Sequence, residues 1–337
     1  MNYSFLEKPL LSVLMPVYNC EMYLKEAIES ILNQTYSNFE FIIINDGSTD
    51  GSKILIESSK DDRIRYIENK KNLGLIATLN KGIELSKGDY IIRMDADDFS
   101  YPNRFEKQVI FMQENPEIDI SGTWFLKSDR VNKNTNPTSF EECKLHLINN
   151  SVLCHPSVII KKDSIQKKGL KFKDLALHAE DYQFWIDAVK AGLKISNLPL
   201  VLLNYRIHSM QISSAKADIQ KQTVNDIRLE YAKFIFGEII EKNNEIYIQL
   251  LNESISEYAL YLKAKQLVYE LLQVNLISCK IKQRNLNLLL CNHLRRIATK
   301  VYSKNKNKFS FLLNIIFDIN FYSKSNIKIL LSYKKIK

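Results

Sequence analysis

Five short runs rich in β-branched and aromatic residues alternate with amphipathic stretches through the first 125 residues, and that alternation confines the chain to an α/β layer fold. The runs, at residues 10–17, 39–45, 63–68, 89–94 and 118–125, have strand length. Between them, residues 23–34 set Leu24, Ile28, Ile31 and Leu32 on one helical face, and residues 75–85 do the same with Leu75, Leu79 and Ile83. Pro102 is expected to open a further helix over residues 103–115. The pattern predicts a mostly parallel sheet with helices on both faces. A strand-like run at 151–160, a helix over 179–191, a short strand near 194–198 and an apolar run at 201–208 follow. Beyond about residue 211 the periodicity is helical, so a C-terminal helical extension is expected after the α/β domain.

With 45% hydrophobic and 25% charged residues the chain can bury a real core, which excludes intrinsic disorder. Its 337 residues exceed what one core usually holds, consistent with a domain over 1–215, divided near residue 125, and a second region over 216–337. The apolar run at 10–17 is short and contains Pro16, so neither a signal peptide nor a spanning helix is expected. Five widely spaced cysteines make no zinc or disulfide framework and point to the reducing cytosol. The net charge of +9 is concentrated: residues 271–337 carry 14 Lys/Arg against a single acid, Asp318. Such a tail implies a polyanionic surface as partner.

In α/β sheets chemistry gathers where strands end and loops lead to helices. Three such junctions are unusual here: Pro16-Val17-Tyr18-Asn19, Asp46-Gly47-Ser48-Thr49-Asp50, and Asp95-Ala96-Asp97-Asp98. Carboxylates clustered at a strand end suit hard divalent cations, Mg²⁺ or Mn²⁺, which bind oxygen ligands and keep positions open for phosphate. Turn and cap chemistry explains any one of these junctions alone, but repetition around one crevice calls for a cation or a donor-rich ligand. Glu180-Asp181 opens the helix over 179–191, where acids also complement the helix dipole. His208 ends an apolar run. A dinucleotide fingerprint, a phosphate-binding loop and a serine-hydrolase elbow are all missing.

Taken in order, Pro16–Asn19, Asn45–Asp50, Asn72-Leu73-Gly74-Leu75, Asp95–Asp98, Glu180-Asp181 and Tyr205-Arg206-Ile207-His208 resemble a family 2 glycosyltransferase of the GT-A fold. The resemblance covers residues 10–215 and is nearest to bacterial hexosaminyl- and hexosyltransferases that extend lipooligosaccharide or capsule chains. It implies a nucleotide-sugar donor, usually UDP-linked, over the first half and a glycan or glycolipid acceptor over the second. Pro16, Tyr18, Asn19, Asp46, Gly74 and Asp95 would bind the donor, with Asp95 at the ribose or sugar. Asp97 would hold the metal, Mn²⁺ or Mg²⁺, and His208 would be a further metal ligand or diphosphate contact. Asp181 would be the general base of an inverting displacement and Glu180 its support.

The Gln-x-x-Arg-Trp motif of processive relatives is missing, so single additions are expected. Residues 153–157, Leu-Cys-His-Pro-Ser, depart from the hexosaminyl pattern. Two other classes fit the residues less well. Sugar-nucleotide nucleotidyltransferases carry a Gly-rich N-terminal loop that Pro16–Asn19 is not; a non-enzymatic polyanion binder would leave the acidic crevice unexplained. The basic tail is read as addressing the enzyme to the anionic inner face of the cytoplasmic membrane, not to nucleic acid, with a contact between subunits of an oligomer as the alternative.

Overall fold

The computed structural model describes residues 8–128, 133–208 and 217–304. The chain divides into two compact units, Met1–Ile227 and Arg228–Lys337. The boundary expected near residue 215, and the Gln211–Ser214 segment, lie outside the described residues.

The first unit contains strands β1 (Leu11–Val17), β2 (Phe39–Asn45), β3 (Ile64–Glu68), β4 (Tyr90–Arg93), β5 (Phe99–Ser100), β6 (Ile120–Lys127), β7 (Lys133–Asn134), β8 (Ile159–Lys161) and β9 (Ile195–Tyr205). Its helices are α1 (Glu21–Leu32), α2 (Ser52–Ser58), α3 (Leu75–Leu85), α4 (Arg104–Glu114), α5 (Phe140–His146), α6 (Lys162–Lys167) and α7 (Glu180–Lys190), and α8 (Ala217–Phe236) runs on across the division. Among the described residues the strands form one sheet in the order β3-β2-β1-β4-β8-β6-β9-β5, with β7 on β6.

β1, β2, β3 and β4 are mutually parallel, as crossover helices require. Ile42, Ile43 and Ile44 are all fully buried, so β2 is covered on both faces, which is why it reads as an unbroken apolar run. Each such side chain contributes about 1.5–3 kcal/mol by leaving water. Leu24, Ala27, Ile28 and Ile31 of α1 recur at helical spacing and are all buried. The winding proceeds outward from β1 to β2 and β3, then returns to place β4 on the other side of β1. That reversal opens a crevice at the C-terminal ends of β1 and β4, the place where open α/β sheets bind ligands.

The second half of the sheet departs from the parallel expectation. β8 runs antiparallel to both β4 and β6, and β6 is parallel to β9, so the sheet as a whole is mixed. Two local expectations change with it. The run at 151–160 supplies only β8; Pro156 sits in a one-turn 3₁₀ segment, His155–Ser157, because proline cannot donate to a ladder. The stretches at 194–198 and 201–208 merge into the single strand β9, interrupted by a register shift opposite Thr123 and Trp124. Pro102 stands before the Asn103 cap of α4 instead of within its first turn.

The described part of the second unit is helical: α9 (Ile239–Lys242), α10 (Asn244–Leu251), α11 (Tyr258–Ser278) and α12 (Gln283–Lys304) follow the end of α8. Leu267, Leu271, Leu286, Leu290, Leu294 and Ile297 form buried rows on α11 and α12. Among the described residues no helix is long and apolar enough to cross a membrane.

Candidate active site

Three loops are knit together at the C-terminal ends of β1 and β2. Asn19 takes a left-handed φ of 49°, receives the Thr49 N–H on Oδ1 at 2.8 Å, and donates its own N–H to Ser48 Oγ at 3.0 Å. Glu21 N–H donates to Asp50 Oδ2 and Cys20 N–H to Ser52 Oγ, so the first turn of α1 is tied to the loop before α2. Burial works against the Asp50 charge, yet the hydrogen bonds from Ser52 and Glu21 prevail and lower its pKa.

The buried Asp46 carboxylate accepts from Asn69 Nδ2 at 2.8 Å and Leu73 N–H at 2.9 Å on one oxygen, and from Gly74 N–H at 2.9 Å on the other. This residue, expected to bind the donor, has both its oxygens engaged in holding the loop before α3. Gly74, at φ 90° and ψ 158°, lies in a region open essentially to glycine alone. Gly47 has φ 70°, and an added Cβ would stand 2.7 Å from the Asn72 nitrogen, so the two loops cross where no side chain fits. Pro16 is partly buried at the end of β1, whereas Tyr18 is half exposed and free to cover a ligand.

The acid cluster follows β4. Asp95, Asp97 and Asp98 bring one oxygen each to within 4.8 Å of one another. Asp95 pairs with Arg93; Asp97 Oδ2 lies 2.9 Å from His208 Nε2; Asp98 Oδ1 accepts the Arg206 N–H at 2.8 Å. Burial raises Asp98 well above the carboxylate range, and Asp95 and Asp97 push it further. Burial and the Asp97 charge likewise raise Asp95 against the pull of Arg93. Among the described residues, Asp98 Oδ2 and His208 Nδ1 are buried without a hydrogen-bond partner. A hard divalent cation fits this oxygen-rich, charge-repelling set, with Asp97 best placed to hold it and His208 beside it.

Asp181 sits in the first turn of α7, where its Oδ2 accepts from Ser151 Oγ at 3.2 Å. Burial raises its pKa, with hydrogen bonds from Tyr182 and Ser151 opposing. Glu180 is raised to about 7, by burial first and then by the Asp181 charge. The Arg93 charge acts on Asp95, Asp98, Glu180 and Asp181 alike, so one buried guanidinium is shared electrostatically by the two acid groups. The structure therefore joins Asp95, Asp97, His208, Glu180 and Asp181 in one neighbourhood. Thiols are silenced there: burial and the nearby carboxylates push Cys20 up to about 12, and burial raises Cys154 well above its ordinary range.

The motifs give no role to Arg93 or Ser151, nor to Arg206 within the Tyr205–His208 segment. Arg206 donates from Nε to the Asp97 carbonyl at 2.8 Å, pairs with Glu26 at 2.6 Å, and lies 4.6 Å from the centre of the Tyr23 ring, which fastens the end of β9 to the acid cluster. Fully buried Arg104 donates to the Arg93 carbonyl at 2.9 Å and braces the same strand end from behind. The signal was available: an arginine closing an otherwise apolar strand two residues before an acid cluster has to be paired there.

Glu180 also carries a stability consequence. Its folded pKa exceeds its unfolded value, so ionisation is opposed in the folded chain and stability falls as pH rises toward and through about 7. Glu180→Gln should raise Tm at about pH 8, by about 2–4 °C for each kcal/mol relieved, and much less at about pH 5. Thermal melts at the two pH values check this; equal shifts would contradict it.

Residues 12–171 match the family model for Glycosyl transferase family 2. An uncharacterized glycosyltransferase of Methanocaldococcus jannaschii is 38% identical over 211 residues, 60% of this chain and 72% of that protein. The Escherichia coli UDP-Glc:alpha-D-GlcNAc-diphosphoundecaprenol beta-1,3-glucosyltransferase WfaP is 28% identical over 207 residues, 61% of this chain and 81% of its own. Among solved structures, S. aureus TarS 1–349 in complex with UDP-GlcNAc matches with a TM-score of 0.56 at 18% identity, over 93% of this chain and 89% of that one. The mannosyltransferase PcManGT of Pyrobaculum calidifontis, in complex with GDP-Man and Mn²⁺, matches with a TM-score of 0.54 at 15% identity, over 89% of each chain. These structures share the GT-A fold with this one. With the identity to the Methanocaldococcus protein spanning most of that relative, the chain belongs to glycosyltransferase family 2.

Proposed function

We propose that the protein moves a single sugar, hexose or N-acetylhexosamine, from a UDP-linked donor to a cell-surface glycan or its lipid-linked precursor, with inversion at the anomeric carbon. The observation that supports this reading is a buried Asp181 carboxylate, held by Ser151, in the same neighbourhood as the Asp95–Asp98 cluster. A displacement needs both: a base for the incoming hydroxyl on one side and stabilisation of the departing diphosphate on the other. The donors in the names of WfaP, a UDP-glucose enzyme, and of the TarS complex with UDP-GlcNAc support the nucleotide, and the Mn²⁺ of the PcManGT complex supports a metal.

Asp97, with His208 beside it and Asp95 and Asp98 near, would hold Mn²⁺ or Mg²⁺, which supplies Lewis-acid stabilisation of negative charge on diphosphate oxygens. The remaining work falls to the chain. Asp181 takes the proton of the acceptor hydroxyl, and its raised pKa makes it a stronger base than an exposed aspartate. Ser151 fixes the carboxylate that receives the proton. Glu180 adds like charge beside it, and the Arg93 charge opposes the upward shift of both. Tyr18 and Asn19 follow the end of β1, beside the crevice where a nucleotide would lie. Screening the purified protein against UDP-sugars for thermal stabilisation and UDP release tests the reading; no stabilisation by any of them would end it.

The basic C-terminal stretch is proposed to hold the enzyme peripherally on an anionic cytoplasmic membrane. Deleting residues 305–337 leaves the buried rows of α11 and α12 intact and removes seven lysines and Asp318. Co-sedimentation with phosphatidylglycerol vesicles should drop in a salt-dependent way, since each lysine near the surface contributes about 1 kcal/mol. Unchanged sedimentation would exclude this role.

A further inference from the structure

Building on the reading of a lipid-linked acceptor, we propose that the loop between α6 and α7 is a membrane-contact surface of the first unit itself. Leu175 and Leu177 enter the interfacial layer of an anionic phospholipid bilayer, and the lysines around them meet its headgroups. This contact is separate from the basic C-terminal stretch.

Apolar residues of this loop point in opposite directions. Phe172 and Ala176 are buried, whereas Leu175 is 95% exposed and Leu177 49%. The exposed pair stands on a fixed base. Phe172 donates its N–H to Asn80 Oδ1 at 3.0 Å and accepts Asn80 Nδ2 on its carbonyl at 2.9 Å, and its ring stacks on Phe184 of α7 with centroids 4.4 Å apart. Lys173 Nζ lies 2.7 Å from Asp187 Oδ2 on the same helix. Asp174–Ala176 then form a single 3₁₀ turn, and the Ala176 carbonyl accepts the Ala179 N–H at 3.1 Å. His178 takes a left-handed φ of 65°, which a non-glycine residue holds only where its surroundings impose it, and its carbonyl accepts from Gln220 Nε2 at 2.7 Å. The fold therefore holds two leucines outward on a braced turn.

Exposed leucines alone are common on protein surfaces; the charge around these two selects the partner. Lys167, Lys168, Lys171 and Lys173 fall within seven residues and are all exposed, and Asp174 is the one acid in residues 166–178. Lys167 pairs with Asp163 and Lys171 with Glu84, each at 3.1 Å, but exposed pairs of this kind contribute little and exchange readily for phosphate. A nucleic acid or an acidic protein surface would meet the lysines and leave the leucines in water. An anionic bilayer meets both, cations at the headgroups and apolar tips just beneath them.

The position of the loop gives the contact a use. Leu177 stands four residues before Asp181, so the surface that takes the leucines also holds the base close to it. A lipid-linked acceptor keeps its hydrocarbon in the same layer and its sugar just above. Stable attachment to a bilayer takes two signals, and an apolar loop supplies what a basic tail lacks.

The test uses the full chain carrying Leu175→Trp, with vesicles of phosphatidylglycerol and of phosphatidylcholine brominated on its acyl chains, which quench a tryptophan that enters the bilayer. Emission of the variant should shift to the blue and lose intensity beyond the wild type, whose Trp124 and Trp185 set the baseline. Unbrominated vesicles should give the shift without the loss. The double variant L175N/L177N should bind phosphatidylglycerol vesicles about tenfold or more weakly, from the apolar surface that no longer leaves water. Its stabilisation by UDP-sugars should equal that of the wild type, because neither leucine belongs to the donor site. A Leu175→Trp protein that sediments with the vesicles yet is quenched no more than wild type overturns the loop contact and leaves the tail as the attachment. Vesicle binding by L175N/L177N equal to wild type overturns it too. A wild type that no UDP-sugar stabilises overturns the transferase reading, and with it the placement of a catalytic base at the bilayer.

Discussion

Asp181→Asn should lower the rate of sugar transfer by about 10²- to 10⁴-fold while leaving the donor KM nearly unchanged, because general-base catalysis contributes on that scale and acts only in the transition state. The substitution is close to isosteric and keeps an oxygen for Ser151, so the loop before β8 retains its anchor. It should not destabilise the fold either. Burial already disfavours the Asp181 charge, and a neutral amide removes that penalty. Steady-state kinetics with saturating acceptor decide the matter: turnover at a tenth of wild type or more would take Asp181 out of the base role. Ser151→Ala provides the contrast. It removes only the fixing hydrogen bond and should cost far less.

Asp97→Asn should be comparably severe for a different reason. Metal-assisted stabilisation of a leaving diphosphate is worth several kcal/mol, which corresponds to about 10²–10⁴ in rate. EDTA should reproduce the loss in the wild type, and Mn²⁺ or Mg²⁺ should restore it. His208→Gln should act more mildly, by about 10- to 100-fold, as expected for a group that orients or supplements a principal ligand. Full turnover in excess EDTA would contradict any metal role for Asp97. The contrast between the two residues is informative: Asp97 shares its cluster with two further carboxylates, whereas the His208 ring meets Asp97 through one nitrogen and Tyr23 through its face.

The donor half was legible because its rules are local. Ile42-Ile43-Ile44 can only be a strand covered on both faces, and α1 and α3 announce themselves by apolar spacing. The acid clusters were legible because carboxylates at strand ends need a reason to be there. What escaped was decided by pairing across long separations. Nothing near Arg93 in sequence says that its charge will act on Glu180 and Asp181, and nothing near Arg206 says that it will reach back to Glu26. The antiparallel insertion of β8 between β4 and β6 was hidden because three residues, Ile159–Lys161, make the strand, while Pro156 breaks the longer apolar run around it. Asp46 shows the converse: its place at the end of β2 was readable, but its attachment to Leu73 and Gly74 required the loop that crosses Gly47.

The proposed reading gives two acid groups in one crevice different roles. Asp95, Asp97 and Asp98 are crowded enough to favour a cation, while Asp181, tied to Ser151, would accept a proton. Such a displacement would need no covalent intermediate, and burial raises the pKa of the thiols of Cys20 and Cys154.

The most direct measurement is the anomeric configuration of the product. With a UDP-α-linked sugar that the screen selects and an accepted glycoside, proton NMR of the new linkage should show the β-anomer from the first turnover onward. A product that keeps the α-configuration would contradict a single displacement assisted by Asp181.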